Sequence, residues 1–296
     1  MISLSVRAQR NQSRVTPLPL RGKGLRFWND SCHQRSDEGS RVTVLAIIPA
    51  RRGATRLPNK PLRLLGGAPL ILRVWQRVSA LGVADKVVVA TDDSEIHQTI
   101  AAAGGLVVLT RSDHPSGTDR VAEVARRAEF ADADVVVNVQ GDEPFIDESA
   151  VRGAVHVVAE GRASIGTAAV PAGGLALMSP DAVKVVCNDL GNALYFSRAP
   201  IPYLRHKHDA PLRDARILLH LGIYAYTRDA LQAWVALPVH PLEQIERLEQ
   251  LRPLAAGFSI GVALASPVEV GGIDTEQDLV RANAHWDSIH AVRSPA

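Results

Sequence analysis

Residues 42–48, Val-Thr-Val-Leu-Ala-Ile-Ile, run without a break into residues 49–62, Pro-Ala-Arg-Arg-Gly-Ala-Thr-Arg-Leu-Pro-Asn-Lys-Pro-Leu. The first segment is short, β-branched and uncharged, the pattern of a strand buried on both faces. The second carries four cations, Arg51, Arg52, Arg56 and Lys60, with Gly53 for backbone freedom and Pro49, Pro58 and Pro61 for stiffness. Open α/β sheets take their ligands at the carboxyl ends of parallel strands. A basic loop at that place favours a polyanion, with backbone N–H groups completing the cradle, and a nucleoside triphosphate is the expected one. A solvated basic loop is the plain alternative, because many surface loops are basic.

Outward from this stretch, strands and helices alternate. Helical spacing predicts a helix over 69–81 that Gly82 ends, and 86–91 reads as a second buried strand. Asp92 and Asp93 lead into a helix over 94–103, stopped by Gly104-Gly105. A short strand at 106–109, a polar loop at 110–118, a helix at 119–130 and a fourth strand at 134–140 follow. Strands this apolar imply a mostly parallel sheet covered by helices on both faces. Beyond it, 165–171 and 183–186 read as strands. Segments 193–197 and 218–226 suggest an antiparallel insertion. A helix-rich stretch over 241–256, a strand at 258–264 and a helix at 274–290 complete the chain. Nothing resembles a linker, so 42–296 reads as one α/β domain with a smaller inserted subdomain at about 183–256.

The 296 residues are 46% hydrophobic and 22% charged, an ordinary soluble globular composition. The net charge of +2 hides an asymmetry: residues 1–41 hold eight Lys/Arg against three acids, and the remainder 25 against 28. The body is therefore slightly acidic and carries no basic stripe interleaved with aromatics, which argues against nucleic acid as a partner. Cys32 and Cys187 make no disulfide framework, in keeping with a reducing compartment. No apolar run approaches the roughly 18 residues that span a bilayer, so no membrane insertion is expected. Residues 1–41 lack a secretory core; they are Arg-rich with no acid before Asp30, as in organellar transit peptides, but Pro17 and Pro19 interrupt any helix. They read as a disordered basic extension or the product of an upstream start codon rather than a targeting segment; the expected location is cytoplasmic, with an organellar one as the alternative.

Two acidic segments complement the basic loop. Val139-Gln-Gly-Asp-Glu-Pro144 closes the fourth strand, so Asp142 and Glu143 stand in a turn on the same sheet edge as the cations. Mg²⁺ takes one or two protein carboxylates and completes its shell with phosphate oxygens and water, which this pairing of loops would suit. A β-turn with solvated acids is the alternative. In Val270-Gly-Gly-Ile-Asp-Thr-Glu-Gln-Asp-Leu279, Asp274 and Thr275 open the last helix, and either serves as a plain N-cap. The Gly pair also lets the backbone approach another segment closely, which would make Asp274 a ligand.

At this point the motifs resemble a family. The loop 49–60 is similar to the nucleotide-binding loop of sugar nucleotidyltransferases, and more closely to that of the 3-deoxy-manno-octulosonate (KDO) cytidylyltransferases. The resemblance runs from about Val44 to about Arg281. It includes Thr91-Asp92, the segment 110–120, Asn138-Val-Gln-Gly-Asp-Glu-Pro144, Ala182-Val-Lys-Val-Val186 and Ala193-Leu-Tyr-Phe-Ser-Arg198. It continues through His220-Leu-Gly-Ile-Tyr-Ala-Tyr226, the segment 241–252 and Gly272-Ile-Asp-Thr275. Residues 1–41 lie outside it.

The resemblance implies a Rossmann-like nucleotidyltransferase sheet, CTP and KDO as substrates, Mg²⁺, a homodimer and a place in lipopolysaccharide assembly. It implies that Arg51, Arg56 and Lys60 neutralise the triphosphate, and that Asp142 and Asp274 hold Mg²⁺; Arg51, Lys60, Asp142 and Asp274 would carry the chemistry. Ser116 and Gly117, in a loop similar to one that contacts cytidine, would read the base, although the same loop also suits a helix cap before Asp119. Gln140 is assigned to both nucleotide and sugar acid. Tyr195, Arg198, His220, Tyr224, Glu249 and Gln250 are assigned to the sugar acid, with Arg198 as partner of its carboxylate. His220 and Tyr224, four apart on an expected strand, would face one side, and Glu249 and Gln250 would lie on a helix. Pro253 should kink or end that helix. Two other readings are a cytidylyltransferase for a related sugar acid such as sialic acid, and a non-catalytic nucleotide-binding protein on the same fold.

Overall fold

Alternation along the first strand, β1 (Val44–Ala50), divides the core in two: Val44, Ala46 and Ile48 face one layer, Leu45 and Ile47 the other. A computed structural model describes residues 41–53, 56–267 and 271–291; the expected basic extension lies outside them except for Arg41. After β1 comes a small hairpin, β2 (Leu64–Leu65) and β3 (Ala68–Pro69), then α1 (Leu70–Ala80), β4 (Lys86–Thr91), α2 (Ser94–Ala102) and β5 (Leu106–Leu109). Next are α3 (Gly117–Ala125), β6 (Val135–Asn138), α4 (Glu148–Ala159), β7 (Ile165–Pro171), α5 (Gly174–Met178), β8 (Lys184–Cys187) and β9 (Ala193–Ser197). The chain ends with α6 (Ala210–Asp214), β10 (Leu218–Thr227), α7 (Arg228–Ala236), α8 (Pro241–Glu246), α9 (Leu251–Ala255), β11 (Ile260–Leu264) and α10 (Glu276–Ala291).

The main sheet runs β11-β7-β10-β6-β1-β4-β5. β1 is parallel to both β4 and β6, β4 to β5, and β7 to β11. β10 alone on this path runs against its neighbours, β6 and β7. The segment expected within an antiparallel insertion at 218–226 is therefore a central strand of the main sheet. His220 and Gly222 interrupt its apolar run and hid this, because its first half meets the ligand edge and only its second half, Ile223–Tyr226, is buried. β8 pairs with both β9 and β10 and extends that first half outward. As β10 enters where the parallel strands exit, loops after β1, β4 and β6 meet the start of β10 on one edge.

Helix starts follow the side-chain chemistry. Asp93 caps α2 by accepting from Glu95 N and Ile96 N, Asp147 caps α4 through Ser149 N, and Thr227 caps α7. Pro253 neither kinks nor ends a helix: it stands in the first turn of α9, where its missing N–H has no intrahelical partner to lose. Between α4 and β7 the layers come so close that a Cβ on Gly166 would overlap the Ala154 carbonyl oxygen. Backbone cannot yield as a flexible side chain does. Gly166→Ala should therefore destabilise the fold by about 3 kcal/mol, read as a lower midpoint in urea unfolding; an unchanged midpoint would show that the layers can separate freely.

Candidate active site

The basic loop turns inward at its end. Asn59 adopts a left-handed conformation (φ 56°) and a 3-10 turn follows at Lys60–Leu62. The Lys60 ammonium then lies 2.5 Å from Asp142 Oδ2 and 2.9 Å from Asp274 Oδ1, with only 16% of its side chain exposed. Arg56 reaches the second oxygen of Asp274 at 2.9 Å. Burial pulls the Lys60 pKa down, but Asp142 and Asp274 outweigh it and the net shift is upward, so the amine stays charged. Arg51 is exposed on the same loop. Arg52 is bound elsewhere, to Asn59 at 3.0 Å, Asp93 at 3.3 Å and Glu95 at 2.5 Å, and pins the loop to α2.

Backbone contacts bring the two carboxylates together. Ile273 N donates to Asp142 O at 3.0 Å. A Cβ on Gly141 would come within 2.9 Å of the Pro49 carbonyl oxygen, so that approach requires glycine, whereas one on Gly272 would come within 2.7 Å of Glu143 Oε1 and displace that side chain. Capping of α10 falls to Thr275: its hydroxyl accepts from Asp278 N at 3.2 Å while the Asp278 carboxylate accepts from Thr275 N at 2.8 Å. The Asp274 side chain is thereby free of the cap and turns to Lys60. Glu143 stands beside them; burial first, then Asp142 and Asp274, raise its carboxyl to about 8. It is protonated at neutral pH, and the two remaining carboxylates are matched by Lys60 and Arg56.

No three His, Cys, Asp or Glu side chains converge as a metal cage among the described residues. Two carboxylates gathered on one cation nevertheless fit what Mg²⁺ takes from a protein when its other ligands are phosphate and water oxygens.

On the neighbouring loop Ser116 caps α3, accepting from Asp119 N at 3.3 Å and donating to Asp119 Oδ2 at 2.7 Å. Gly117 packs its Cα against the end of β1, where a Cβ would meet Pro49 Cγ at 3.4 Å. Thr118 donates to Glu249 Oε2 at 2.9 Å, tying this loop to the turn that carries Glu249 and Gln250. Burial raises the Glu249 pKa, against the hydrogen bonds from Thr118 and Ser116. Glu249 and Gln250 lie in the turn between α8 and α9, not on a helix, because Arg247 takes a left-handed conformation (φ 55°) and ends α8. The buried Gln250 Nε2 and Tyr224 hydroxyl have no hydrogen-bond partner among the described residues. Gln140 Nε2 reaches Gly222 O at 3.5 Å, and Tyr195 sits partly buried on β9. Arg198 donates from Nε to Glu246 O at 2.8 Å and from Nη1 to Pro180 O at 3.0 Å.

β10 is bulged between His220 and Tyr224, with Gly222 at φ 69°, yet the two rings meet at 5.2 Å. Thr167 Oγ1 donates to Ile223 O at 2.5 Å, so its 2.8 Å contact with His220 Nε2 takes a proton from the ring. This fixes neutral His220 with Nδ1 as acceptor, and burial pushes its pKa down to about 3. In the unfolded chain an ordinary His protonates near pH 6.5. Between those values the unfolded state holds the extra proton, so stability falls as pH drops below about 6.5. The slope should be on the order of 1 kcal/mol per pH unit after allowance for the ring's residual exposure. Urea titrations at pH 6.5 and 4.5 should show His220→Gln losing that much less; equal losses would overturn the assignment.

Sequence reasoning missed the supports: Thr167 under His220, Glu246 at Arg198, the Glu243–Arg252 pair and Lys184. Lys184 had a signal, a charge inside the apolar run 183–186.

This fold, with a cationic loop at the carboxyl edge of its first strand, places the chain among the nucleotidyltransferases. A cytidylyltransferase family profile matches residues 45–261. A 3-deoxy-manno-octulosonate cytidylyltransferase of Gemmatimonas aurantiaca is 62% identical over 255 residues, covering 86% of this chain and 98% of the relative. One from Yersinia pseudotuberculosis is 46% identical over 247 residues, covering 82% and 98%. A solved CMP:2-keto-3-deoxy-manno-octonic acid synthetase complexed with CTP superposes with a TM-score of 0.77 at 39% identity, over 83% of this chain and 99% of that one. A 4-diphosphocytidyl-2C-methyl-D-erythritol synthase from Anaerococcus prevotii, 16% identical with a TM-score of 0.53, shares the fold over 82% of this chain and 98% of its own. The chain belongs to the cytidylyltransferase family, in its 3-deoxy-manno-octulosonate branch. No helix among the described residues is long and apolar enough to cross a membrane.

Proposed function

We propose that the enzyme transfers CMP from CTP to KDO and releases pyrophosphate. The observation that carries this reading is the convergence of Lys60, Arg56, Asp142 and Asp274 at the sheet edge where β10 begins. The names of the relatives support CTP and KDO as the substrates. The anomeric hydroxyl of KDO attacks the α-phosphorus in line; an O–P bond forms, the bond to pyrophosphate breaks, and the hydroxyl proton leaves to solvent. Such transfer depends mostly on positioning and charge stabilisation. Arg51, Arg56 and Lys60 hold the triphosphate and the departing pyrophosphate. Asp142 and Asp274 would hold Mg²⁺, which would supply polarisation of the phosphate and a lowered pKa for a hydroxyl beside it. Ser116 and Gly117 face the cytosine, with Gln140 between nucleotide and sugar. Arg198 takes the sugar carboxylate, while Tyr195, His220, Tyr224, Glu249 and Gln250 take the hydroxyls, all but Gln140 from the region 183–256.

The same reading places the enzyme in the cytoplasm, in lipopolysaccharide assembly, and as a homodimer. Exposed Leu194, Tyr203, Leu212 and Ile245 supply apolar surface for self-association. Incubation with CTP, Mg²⁺ and a panel of sugar acids, with pyrophosphate release as readout, tests the substrate. KDO should turn over fastest; turnover of sialic acid without turnover of KDO would sink the reading.

A further inference from the structure

Lys184 is fully buried, yet its ammonium meets only carbonyl oxygens: Ser179 O at 2.8 Å, Ala182 O at 2.6 Å and Arg198 O at 2.5 Å. Those three bonds use all three donors of the amine. A cation buried on carbonyls alone is costly; burial, and then the charge of Arg198, lower its pKa against the pull of Glu246. The position in the fold gives the reason. On β8, Lys184 pairs with Leu219 of β10, next to His220, and with Ser197 of β9, next to Arg198. Glu246 grips the same corner from the other side, accepting from Ser197 Oγ at 2.5 Å and from Arg198 N at 2.9 Å. The Pro180 carbonyl that receives Arg198 Nη1 belongs to the loop that Lys184 fixes at Ser179 and Ala182.

We propose that Lys184 is a positioning residue for recognition of the sugar acid. It locks the main chain of Arg198 and the loop whose Pro180 carbonyl receives its guanidinium. This rests on Arg198 as the partner of the substrate carboxylate.

Initial-rate kinetics of Lys184→Met and Lys184→Gln, with each substrate varied in turn, test it. The KM for KDO should rise about tenfold or more while that for CTP stays within about twofold, and the double variant Lys184→Gln/Arg198→Ala should lose no more than Arg198→Ala alone. Parallel rises in both KM values, an unchanged KM for KDO, or independent losses in the double variant would each overturn the proposal. Glu246→Gln weakens the same corner without touching the buried amine, so it gives the answer if the Lys184 variants fail to fold: a loss confined to KDO supports the proposal and no loss overturns it. Arg198→Ala with an unchanged KM for KDO would remove the underlying reading instead.

Discussion

Asp142→Asn is expected to reduce kcat by a factor of ~10²–10³, the usual cost of removing one fixed charge that stabilises a transition state. The amide keeps the shape of the side chain and loses its charge. Lys60 then loses its 2.5 Å partner, and only Asp274 remains to face a divalent cation. Glu143 is a poor substitute, because burial, the first cause that raises its carboxyl, persists when the repulsion from Asp142 is removed. The fold should survive, because Asp142 follows β6 on the surface edge and its backbone contact with Ile273 is unchanged. Circular dichroism and thermal melting would register that survival. Activity within tenfold of wild type would remove Asp142 from the metal and Lys60 from its proposed setting.

Arg252→Met should have the largest effect on stability, about 3–5 kcal/mol, because it strands a buried carboxylate. Arg252 Nε and Nη2 bind the two oxygens of Glu243 at 2.7 and 2.6 Å, with the side chains only 9% and 11% exposed. Glu243 also accepts from His240 N at 3.4 Å within the capping box of α8. One ion pair therefore clasps α8 to α9, and the turn between them carries Glu249 and Gln250. Denaturant unfolding should show the loss, and the KM for KDO should rise with it. Arg252→Met/Glu243→Leu should recover much of the stability, since replacing both charges leaves neither unpaired. A single variant that loses less than about 1 kcal/mol would mean that water reaches the pair.

The sheet was legible because its strands are buried on both faces and read as unbroken apolar runs. The basic loop and Asp142 were legible because they follow such runs. β10 was less so: a strand that is half ligand edge and half core has neither periodicity nor uniform apolarity. The division of labour between Asp274 and Thr275 lies in which side chain faces the helix N–H groups, and spacing does not encode that. The turn holding Glu249 and Gln250 depends on a single left-handed residue, Arg247, whose side chain gives no warning of it. Lys184 was visible as an anomaly, but its meaning needs Arg198 and Glu246, which only the tertiary structure brings beside it.

Asp274 reaches the site from beyond β11, which ends at Leu264, while Lys60 follows the first strand. A ribosome making this protein therefore completes every strand of the main sheet before it adds the second carboxylate. During that interval the nascent chain has its cationic loop and Asp142 but lacks the counter-charge that Arg56 and Lys60 share at Asp274. The last segment to be made therefore brings both the second carboxylate and three buried residues of the core, Ile273, Leu279 and Ala282.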